Sequence, residues 1–447
     1  MPQVIKRMFA SWQKTDGAYC CAGHAVAVTG LVKADFHRSC RAAVLVAGLV
    51  SYASALPARA QTEPLPTALT PDQRAIIAKI TKPTGRGELQ YSGVPTDAGA
   101  EVQLPVRGKY VTVVRKQSIL QKDGSVVWYG EVQETGERAM LMLWSNALLT
   151  GYFAYKGTIF TVETLGGGVS AFSEMDRRQI PADHPEPGGR IDSVPFAPEA
   201  KVMRPRTRVP EPEVKPFPEA ERLALEAKDI TIDVMLLYSR NVAELYVRKP
   251  EDLLALAIEE TNQAFRNSGL GNIKLRLVHT QVVDYDTSED DQFTQLYAMV
   301  DGLGPFKDVK KLRDEKRADV VGLIIDNPSG CGLSTRIGPT SDEAFFVVHH
   351  ACATITLSIA HEIGHMLGLR HDRYVDQSDQ PFAYGHGYVN GDKWRDIMSY
   401  KVGCGGCPRI PYWSNPRVLY KGEPTGTPAA DSARVILELA ERVSKFR

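Results

Sequence analysis

The stretch that most constrains this chain begins at His361. Because a helix turns about 100° per residue, His361 and His365 lie one turn apart on the same face and can bind one zinc ion at roughly 2.0–2.1 Å. Gly368 permits a turn with positive φ that ends the helix, after which His371 returns as a third ligand. Three protein ligands leave one tetrahedral position open, which is typical of a catalytic zinc site, and Glu362 is placed to act on water there. The alternative is a surface helix that carries three unrelated histidines, which the density of specified positions disfavours.

A second motif follows at 396–400, with the sequence Asp-Ile-Met-Ser-Tyr. The pattern His-Glu-x-x-His-x-x-Gly-x-x-His resembles the metzincin zinc endopeptidases, and Asp372 directly after it indicates the adamalysin/reprolysin branch. Metzincins also have a methionine turn beneath the metal, and the segment around Met398 is similar to it. Tyr400 is more typical of the astacin and serralysin branches, where that tyrosine can contact zinc. The resemblance covers about 229–447.

The resemblance implies hydrolysis of internal bonds in a protein or peptide substrate. Zinc on the three histidines lowers the pKa of its water toward about 7 and polarises the scissile carbonyl. Glu362 takes the water proton as general base and passes it to the leaving amine, while Tyr400 donates a hydrogen bond to the developing oxyanion. Two alternatives stay open, an exopeptidase and a secreted binding protein with a silent site. The intact Glu362 disfavours the silent site.

Composition adds the broad class of the protein. A chain of 447 residues predicts two or three domains, and 53 Lys+Arg against 53 Asp+Glu leave no net charge. This balance gives no reason to expect nucleic acid as a partner.

A targeting segment is predicted at 36–60. Basic residues precede an apolar run over 42–56, and residues 58–60 (Ala-Arg-Ala) form a small-x-small cleavage site. The run is too short for a comfortable membrane span, so we expect a secreted or periplasmic protein without a stable membrane anchor. About 35 residues precede this segment, which suggests that translation begins downstream, near Leu31 or Val32. An uncleaved anchor or a buried helix is the alternative.

Cysteine usage agrees with an oxidising compartment. Three of the seven cysteines precede the predicted cleavage site, namely Cys20, Cys21 and Cys40. The other four, Cys331, Cys352, Cys404 and Cys407, allow three pairings. We favour Cys331–Cys352, which flanks the segment approaching the helix, and Cys404–Cys407, which closes Cys-Gly-Gly-Cys.

The region 61–184 predicts a small antiparallel β domain. After a helix at Pro71–Ile80 come five β-rich runs separated by turn residues: Tyr110–Val114, Val126–Val132, Ala139–Trp144, Leu148–Tyr155 and Thr158–Glu163. Between 62 and 180 there is neither Cys nor His. Its place between a signal and a metzincin-like domain resembles that of a propeptide that chaperones or inhibits the enzyme. The alternative is a substrate-binding module that stays attached.

The region 185–228 is predicted to be a linker, because it is dense in proline up to Pro218. It contains an exposed basic run of three arginines, Arg204, Arg206 and Arg208, which is a candidate cleavage site for a protease. The alternative is that these charges only keep the linker solvated.

Latency through a propeptide cysteine is excluded unless the signal is retained, since no cysteine lies between 61 and 330. Asp183-His184 is the only ligand-like pair in that region, and it is not expected to hold the metal. We therefore expect the β domain or the linker to cover the cleft of a zymogen.

The region 229–447 alternates strands and helices, which predicts an α/β (α+β) sandwich with a mixed sheet and an active-site helix. The strands are expected at Ile230–Tyr238, Asn272–Val283, Ala318–Ile325 and Ala344–Val348. The helices are expected at Asp252–Phe265, Phe293–Val300, Val309–Lys316, Thr354–Leu367 and Asp431–Val443. The resemblance implies that Ala344–Val348 is the edge strand that binds an extended peptide by β-addition.

Some residues near these elements have two interpretations. His349, His350 and His386 are expected to be hydrogen-bonded or exposed histidines and not ligands, because three ligands already complete the site. Tyr412 and Trp413 either line the pocket for the residue after the scissile bond, as the resemblance implies, or pack in the core.

Overall fold

The computed structural model describes residues 69–80, 90–93, 101–121, 124–143, 149–167, 169–175, 180–183, 210–246, 250–287 and 290–447. All of them belong to one unit, Pro57–Arg447. The predicted signal at 36–60, the basic run at 204–208 and His184 lie outside the described residues. No helix in the described part of the chain is both long and apolar enough to cross a lipid bilayer.

The first described part is a helix and an antiparallel sheet of eight strands, in the order β1-β8-β7-β6-β5-β4-β3-β2. The elements are α1 (Pro71–Ile80), β1 (Gln90–Gly93), β2 (Glu101–Val106), β3 (Lys109–Leu120), β4 (Val126–Val132), β5 (Arg138–Leu143), β6 (Leu149–Tyr155), β7 (Thr158–Gly166) and β8 (Val169–Glu174). The predicted helix and five predicted strands are confirmed as α1 and β3 to β7. The sequence patterns do not predict β1, β2 and β8, because their serine, glycine and proline residues weaken a strand signal.

Local chemistry explains how these strands turn and pack. Lys156 and Gly157 have φ values of 50° and 76°, which is the geometry of a two-residue hairpin turn that matches the twist of the strands it joins. Alternate residues then point into a shared interior, where Phe153 lies with its ring centroid 5.1 Å from that of Phe160. Gly151 is required in β6, since a Cβ there would lie 2.1 Å from the Met140 carbonyl oxygen.

The second part is built on a five-stranded mixed sheet in the order β10-β9-β11-β13-β12. Its strands are β9 (Ile230–Ser239), β10 (Ile273–Val283), β11 (Val320–Ile325), β12 (Gly332–Ser334) and β13 (Phe345–His349). Parallel pairs join β10 to β9, β9 to β11 and β11 to β13, whereas β12 runs antiparallel to β13. β11 is buried at every residue, as expected of a central strand that is covered on both faces.

Helices cover both faces of this sheet. They are α2 (Glu219–Glu226), α3 (Arg240–Leu245), α4 (Glu251–Asn267), α5 (Gln292–Asp301), α6 (Val309–Lys316), α7 (Ser358–Met366) and α8 (Ser432–Val443). Because side chains alternate along β9, Leu236 packs in the cluster with α4, α7 and α8, whereas Met235 and Leu237 pack in the cluster with α5. Two-residue strands follow α7: β14 (Val389–Asn390), β15 (Trp394–Arg395), β16 (Leu419–Tyr420) and β17 (Glu423–Pro424). The mixed α/β arrangement is therefore confirmed.

Three details of the prediction are wrong. The predicted edge strand corresponds to β13, which lies between β11 and β12, so the edge of the sheet is β12. A strand of three residues is too short to show an alternating pattern. The predicted linker contains α2, which packs on α8, and the active-site helix begins at Ser358 because Leu357 has the left-handed φ of 62°.

The two disulfides that we favour from the sequence are present. Cys331–Cys352 joins the residue before β12 to the segment that leads into α7, and Cys404–Cys407 closes a loop after β15. The first of these covalently ties the sheet edge to the start of the active-site helix.

The eight-stranded sheet contacts the second part through α4 and the segment before α7. Met140 and Tyr152 share an apolar cluster with Leu256 and Ile355. The Tyr152 hydroxyl also donates to Glu260 on α4, where burial raises the pKa of the carboxyl group to about 7. Arg138 Nη2 donates to the Ile355 carbonyl at 2.6 Å. The N-terminal sheet thus packs directly beside the helix that carries the predicted metal ligands.

Candidate active site

The three predicted ligand histidines come together. His361 and His365 lie on α7 with their Nε2 atoms 3.1 Å apart, and Nε2 of His371 lies 3.0 Å from that of His365. Their residues are between 0% and 5% exposed. Burial lowers the pKa of His365 to about 4, so this imidazole is neutral near pH 7.

The hydrogen bonds of these rings determine where their lone pairs point. Nδ1 of His361 lies 2.9 Å from the Ile397 carbonyl oxygen, and Nδ1 of His365 lies 2.9 Å from that of Leu369. A carbonyl oxygen can only accept, so Nδ1 is the donor in each ring and Nε2 carries the lone pair. Lone pairs that face one another at this distance repel unless a cation lies among them, and the donor set therefore fits a metal ion.

Gly368 allows the chain to return to the site. Its φ of +89° is in the left-handed region, and a Cβ there would lie 2.8 Å from Leu439 Cδ1. Asp372 follows His371 and accepts from the backbone N–H of Tyr374 at 3.0 Å and of Tyr400 at 2.9 Å. This carboxylate holds the ligand loop against the 396–400 segment.

The 396–400 segment lies beneath α7. A Cβ on Gly364 would lie 2.4 Å from Met398 Sδ, so the methionine touches α7 between His361 and His365 in the sequence. Asp396 accepts from Ser399 Oγ at 2.6 Å and from the Ser414 N–H at 2.9 Å, which closes the turn. The Tyr400 hydroxyl lies 3.1 Å from Nε2 of His371 and so reaches the point where the histidines converge.

Glu362 is 1% exposed and lies under the sheet edge. Ser334 Oγ in β12 donates to Oε2 at 2.6 Å, while Oε1 has no hydrogen-bond partner among the described residues. Burial raises the pKa of Glu362 to about 8, against the opposing effects of Ser334 and Arg409. Gly332 leaves the room for Oε1, because a Cβ there would lie 2.5 Å from that atom.

Ser334 and Gly332 are site residues that the sequence does not reveal. Both lie in the three-residue strand β12, and Ser334 precedes Glu362 by 28 residues. Neither carries a metal-ligand or acid–base signature, so only the register of β12 over α7 identifies them.

The other histidines have partners of their own. His386 bonds through Nδ1 to the His371 carbonyl at 2.8 Å and through Nε2 to that of Ser378 at 2.9 Å. Nε2 of His350 lies 3.2 Å from Asp326 Oδ1, and Nε2 of His349 lies 3.6 Å from it. Asp326, His349 and His350 are close enough together to share a metal ion. That His349 and His350 are not ligands therefore stays a prediction.

The two aromatic candidates separate. Trp413 is fully buried, and its ring centroid lies 4.5 Å from that of Phe265 on α4, so it packs in the core. Tyr412 is partly exposed and packs near Tyr420, with ring centroids 5.4 Å apart. Of the pair, Trp413 takes the core-packing alternative.

The chain is similar to known proteins over a region much larger than this site. Residues 229–414 match the family Reprolysin_5, described as metallo-peptidase family M12. A protein of Stenotrophomonas maltophilia (strain K279a) named "Peptidyl-Asp metalloendopeptidase" is 30% identical over 394 residues, which cover 83% of this chain and 89% of that protein. A protein of Xanthomonas campestris pv. campestris with the same name is 30% identical over 376 residues, covering 79% and 85%. A crystal structure of metalloproteinase-II from Bacteroides fragilis is 14% identical, covers 81% of this chain and 93% of that one, and has a TM-score of 0.38, too low to bear on the fold.

The family match contains all three converging histidines and Glu362, and the full-length relatives align with more than the matched domain. The reprolysin-like assignment indicated by Asp372 is confirmed by the family model. The chain therefore belongs to metallopeptidase family M12, and it is a metalloendopeptidase.

Proposed function

We propose that this chain is a zinc endopeptidase with the metzincin arrangement, in which His361, His365 and His371 hold the ion and Glu362 is the general base. The observation that carries the proposal is the buried, unpartnered Oε1 of Glu362 beside three converging Nε2 atoms. When bound, zinc supplies a Lewis acid that lowers the pKa of water and polarises a carbonyl group.

Glu362 moves the proton. Ser334 fixes one carboxylate oxygen by donating to Oε2, which leaves Oε1 directed at the reacting water. A cation held by the neighbouring histidines favours the ionised carboxylate, so it offsets the upward effect of burial on the pKa of Glu362. Glu362 then accepts a proton from water and delivers it to the leaving amine.

Tyr400 stabilises charge on the substrate. Its hydroxyl lies 3.1 Å from Nε2 of His371. A phenol there donates a hydrogen bond to the oxyanion that forms from the scissile carbonyl. This hydrogen bond strengthens as negative charge develops on the oxygen. Met398 supports the ligands from below and is not itself a ligand, because a thioether is soft and apolar.

The proposed substrates are proteins or peptides cut at aspartate. The relatives from Stenotrophomonas and Xanthomonas are named for peptidyl-Asp cleavage, and we extend that specificity to this chain. An extended substrate adds to β12, the edge strand beside Glu362, so that backbone hydrogen bonds hold it across the site.

Digestion of an unstructured protein tests this function. Mass spectrometry of the products is expected to show internal cuts, and at least about ten times more of them at bonds of Asp than at the corresponding bonds of Asn, because an ionised partner roughly doubles the strength of a hydrogen bond. The same digest with Glu362→Gln protein is the control for contaminating proteases. Release of single terminal residues would establish the exopeptidase alternative instead.

We further propose that the protein is exported through the signal at 36–60 and made as a zymogen, with 61–184 as the latency domain, 185–228 as the connecting segment and 229–447 as the peptidase. The packing of the eight-stranded sheet against α4 and the approach to α7 supports a covering role. α2 at the end of the connecting segment belongs structurally with α8.

Mass spectrometry of the active secreted protein tests this processing. We expect the active species to begin between 184 and Ile230, after both the signal and the sheet have been removed. An equally active species that begins near Gln61 would make the sheet a permanent module.

A further inference from the structure

Two arginines lie buried side by side in the wall of the proposed active site. The side chains of Arg395 and Arg409 are 9% and 7% exposed. Arg395 Nε donates to the Cys407 carbonyl at 3.3 Å, and Arg409 Nη1 donates to that of Thr356 at 2.7 Å. Both arginines also donate to the Ser399 carbonyl, in the turn between Met398 and Tyr400. Their place in the fold is therefore fixed by backbone contacts around the metal-ligand helix.

This pair of like charges has an incomplete set of partners. Burial and the adjacent Arg409 lower the pKa of Arg395 to about 10, which still leaves it charged near pH 7. Arg409 Nε is buried without a hydrogen-bond partner among the described residues. Two buried guanidinium groups are costly unless an anion lies between them. Asp372 and Asp396 are nearby, but their oxygens already accept hydrogen bonds: those of Asp372 from two backbone N–H groups, and those of Asp396 from the Ser399 hydroxyl and the Ser414 N–H.

Asp183 supplies that anion. Its Oδ1 lies 3.6 Å from Arg409 Nη2 and its Oδ2 lies 3.7 Å from Arg395 Nη1. Oδ2 also accepts from the backbone N–H of Lys401 at 3.4 Å. Burial alone would raise the pKa of Asp183, but Arg409, Arg395 and Lys401 outweigh it and lower the pKa, so the side chain is a carboxylate. Its side chain is 9% exposed, so the carboxylate and the two guanidinium groups are buried together.

The backbone before Asp183 lies on the edge of the sheet that the proposed substrate uses. The Cys331 N–H, immediately before β12, donates to the Ala182 carbonyl at 2.7 Å. The next residue, Gly332, covers Oε1 of Glu362. The segment Ile180–Asp183 therefore forms a main-chain hydrogen bond next to the edge strand while its acidic side chain lies against the arginine pair. A peptide bound by β-addition makes the same two kinds of contact.

We propose that Arg395 and Arg409 form the pocket that selects an acidic side chain of the substrate, and that Asp183 occupies this pocket in the uncleaved chain. The segment Ile180–Asp183 is then an internal substrate mimic that blocks the site until it is displaced. This inference rests on the proposed endopeptidase function and adds its specificity residues and its inhibitor. Guanidinium groups match a carboxylate in both charge and geometry, whereas the amide of Asn satisfies neither arginine fully.

The pocket is tested with two peptides that differ only in Asp or Asn beside the cleaved bond. For the active protein, Arg395→Gln and Arg409→Gln are each expected to lower kcat/KM for the Asp peptide by about 10- to 100-fold, the range for a hydrogen bond to a charged group. The rate for the Asn peptide is expected to change little. Arg276→Gln, which removes an exposed arginine paired with Asp233 on the far strand of the sheet, is the matched control. An unchanged Asp-to-Asn ratio in both pocket variants overturns the proposal.

The internal mimic is tested with the uncleaved full chain, checked by mass spectrometry. Asp183→Asn is expected to raise the initial rate on the Asp peptide by about tenfold or more, because it removes the charge that competes for the arginines. Glu174→Gln, which removes another carboxylate paired with an arginine in the N-terminal sheet, is expected to change nothing. Equal rates for the Asp183 variant and the wild type would show that the segment does not block the pocket.

A third measurement needs no variant and so does not depend on the folding of one. The free peptide Ile-Pro-Ala-Asp is expected to inhibit the active wild-type protein at least about tenfold more tightly than Ile-Pro-Ala-Asn. If no internal cleavage by the protein is detected at all, the endopeptidase function itself fails. If cleavage occurs but neither peptide pair shows a preference for the carboxylate, only the pocket fails.

Discussion

Glu362→Gln protein is expected to keep its fold and its metal ion but to lose at least about 10²–10⁴ in kcat, the usual contribution of a general base. Glutamine has nearly the same shape as glutamate, and its amide oxygen can still accept from Ser334 Oγ. It cannot take a proton from water at neutral pH, and its NH₂ group would place a donor where Oε1 now has a free lone pair. The measurement is kcat for one peptide substrate. The metal content and the thermal unfolding temperature of the variant are measured alongside and are expected to equal those of the wild type.

Two further variants make this test specific. Glu441→Gln changes an exposed carboxylate that pairs with Lys228 and Lys445, so its activity is expected to equal that of the wild type. Tyr400→Phe removes one hydrogen-bond donor to the oxyanion and is expected to cost about 10²-fold in kcat, with little change in KM. Full turnover by a correctly metallated Glu362→Gln protein would exclude Glu362 as the base.

Removal of the metal is expected to abolish peptidase activity, and one equivalent of zinc per chain is expected to restore it. The three Nε2 atoms converge, and those of His361 and His365 carry lone pairs that face each other, which is the donor set of a metal site. Because the sheet, the helices and the Cys331–Cys352 disulfide do not depend on the ion, we expect the metal-free protein to stay folded. Atomic emission analysis and a cleavage assay before and after chelation measure both quantities.

A pair of histidine variants identifies the site of the ion. His371→Ala is expected to lose both the bound metal and the activity, since it removes one of three ligands and the partner of the Tyr400 hydroxyl. His279→Ala changes a histidine on β10 whose hydrogen bond is to Gln281, and is expected to keep both. Activity that survives complete removal of the metal would contradict the proposed chemistry.

Much of the site is determined by local sequence. His361 and His365 lie on one face because of the helical repeat, and Gly368 adopts without strain the positive φ after which His371 returns. Local sequence also predicts most strands of both sheets. A run of alternating apolar residues indicates a strand buried on one face, and a continuous apolar run indicates one buried on both faces. The positions of the cysteines in the sequence favour both disulfide pairings, and both disulfides are present.

Other parts were decided only by tertiary structure. β12 is three residues long, so its position at the sheet edge, with Ser334 and Gly332 over Glu362, comes from pairing with β13. Asp183 meets Arg395 and Arg409 across more than 200 residues of chain. A helix repeat relates residues within a few positions, whereas strand register and loop packing relate residues that no short pattern connects. The sequence by itself therefore determined which histidines converge and which glutamate lies beside them, because one helix and one turn relate them. Only the folded chain decided that Ser334 contacts Glu362 and that Asp183 lies between two arginines.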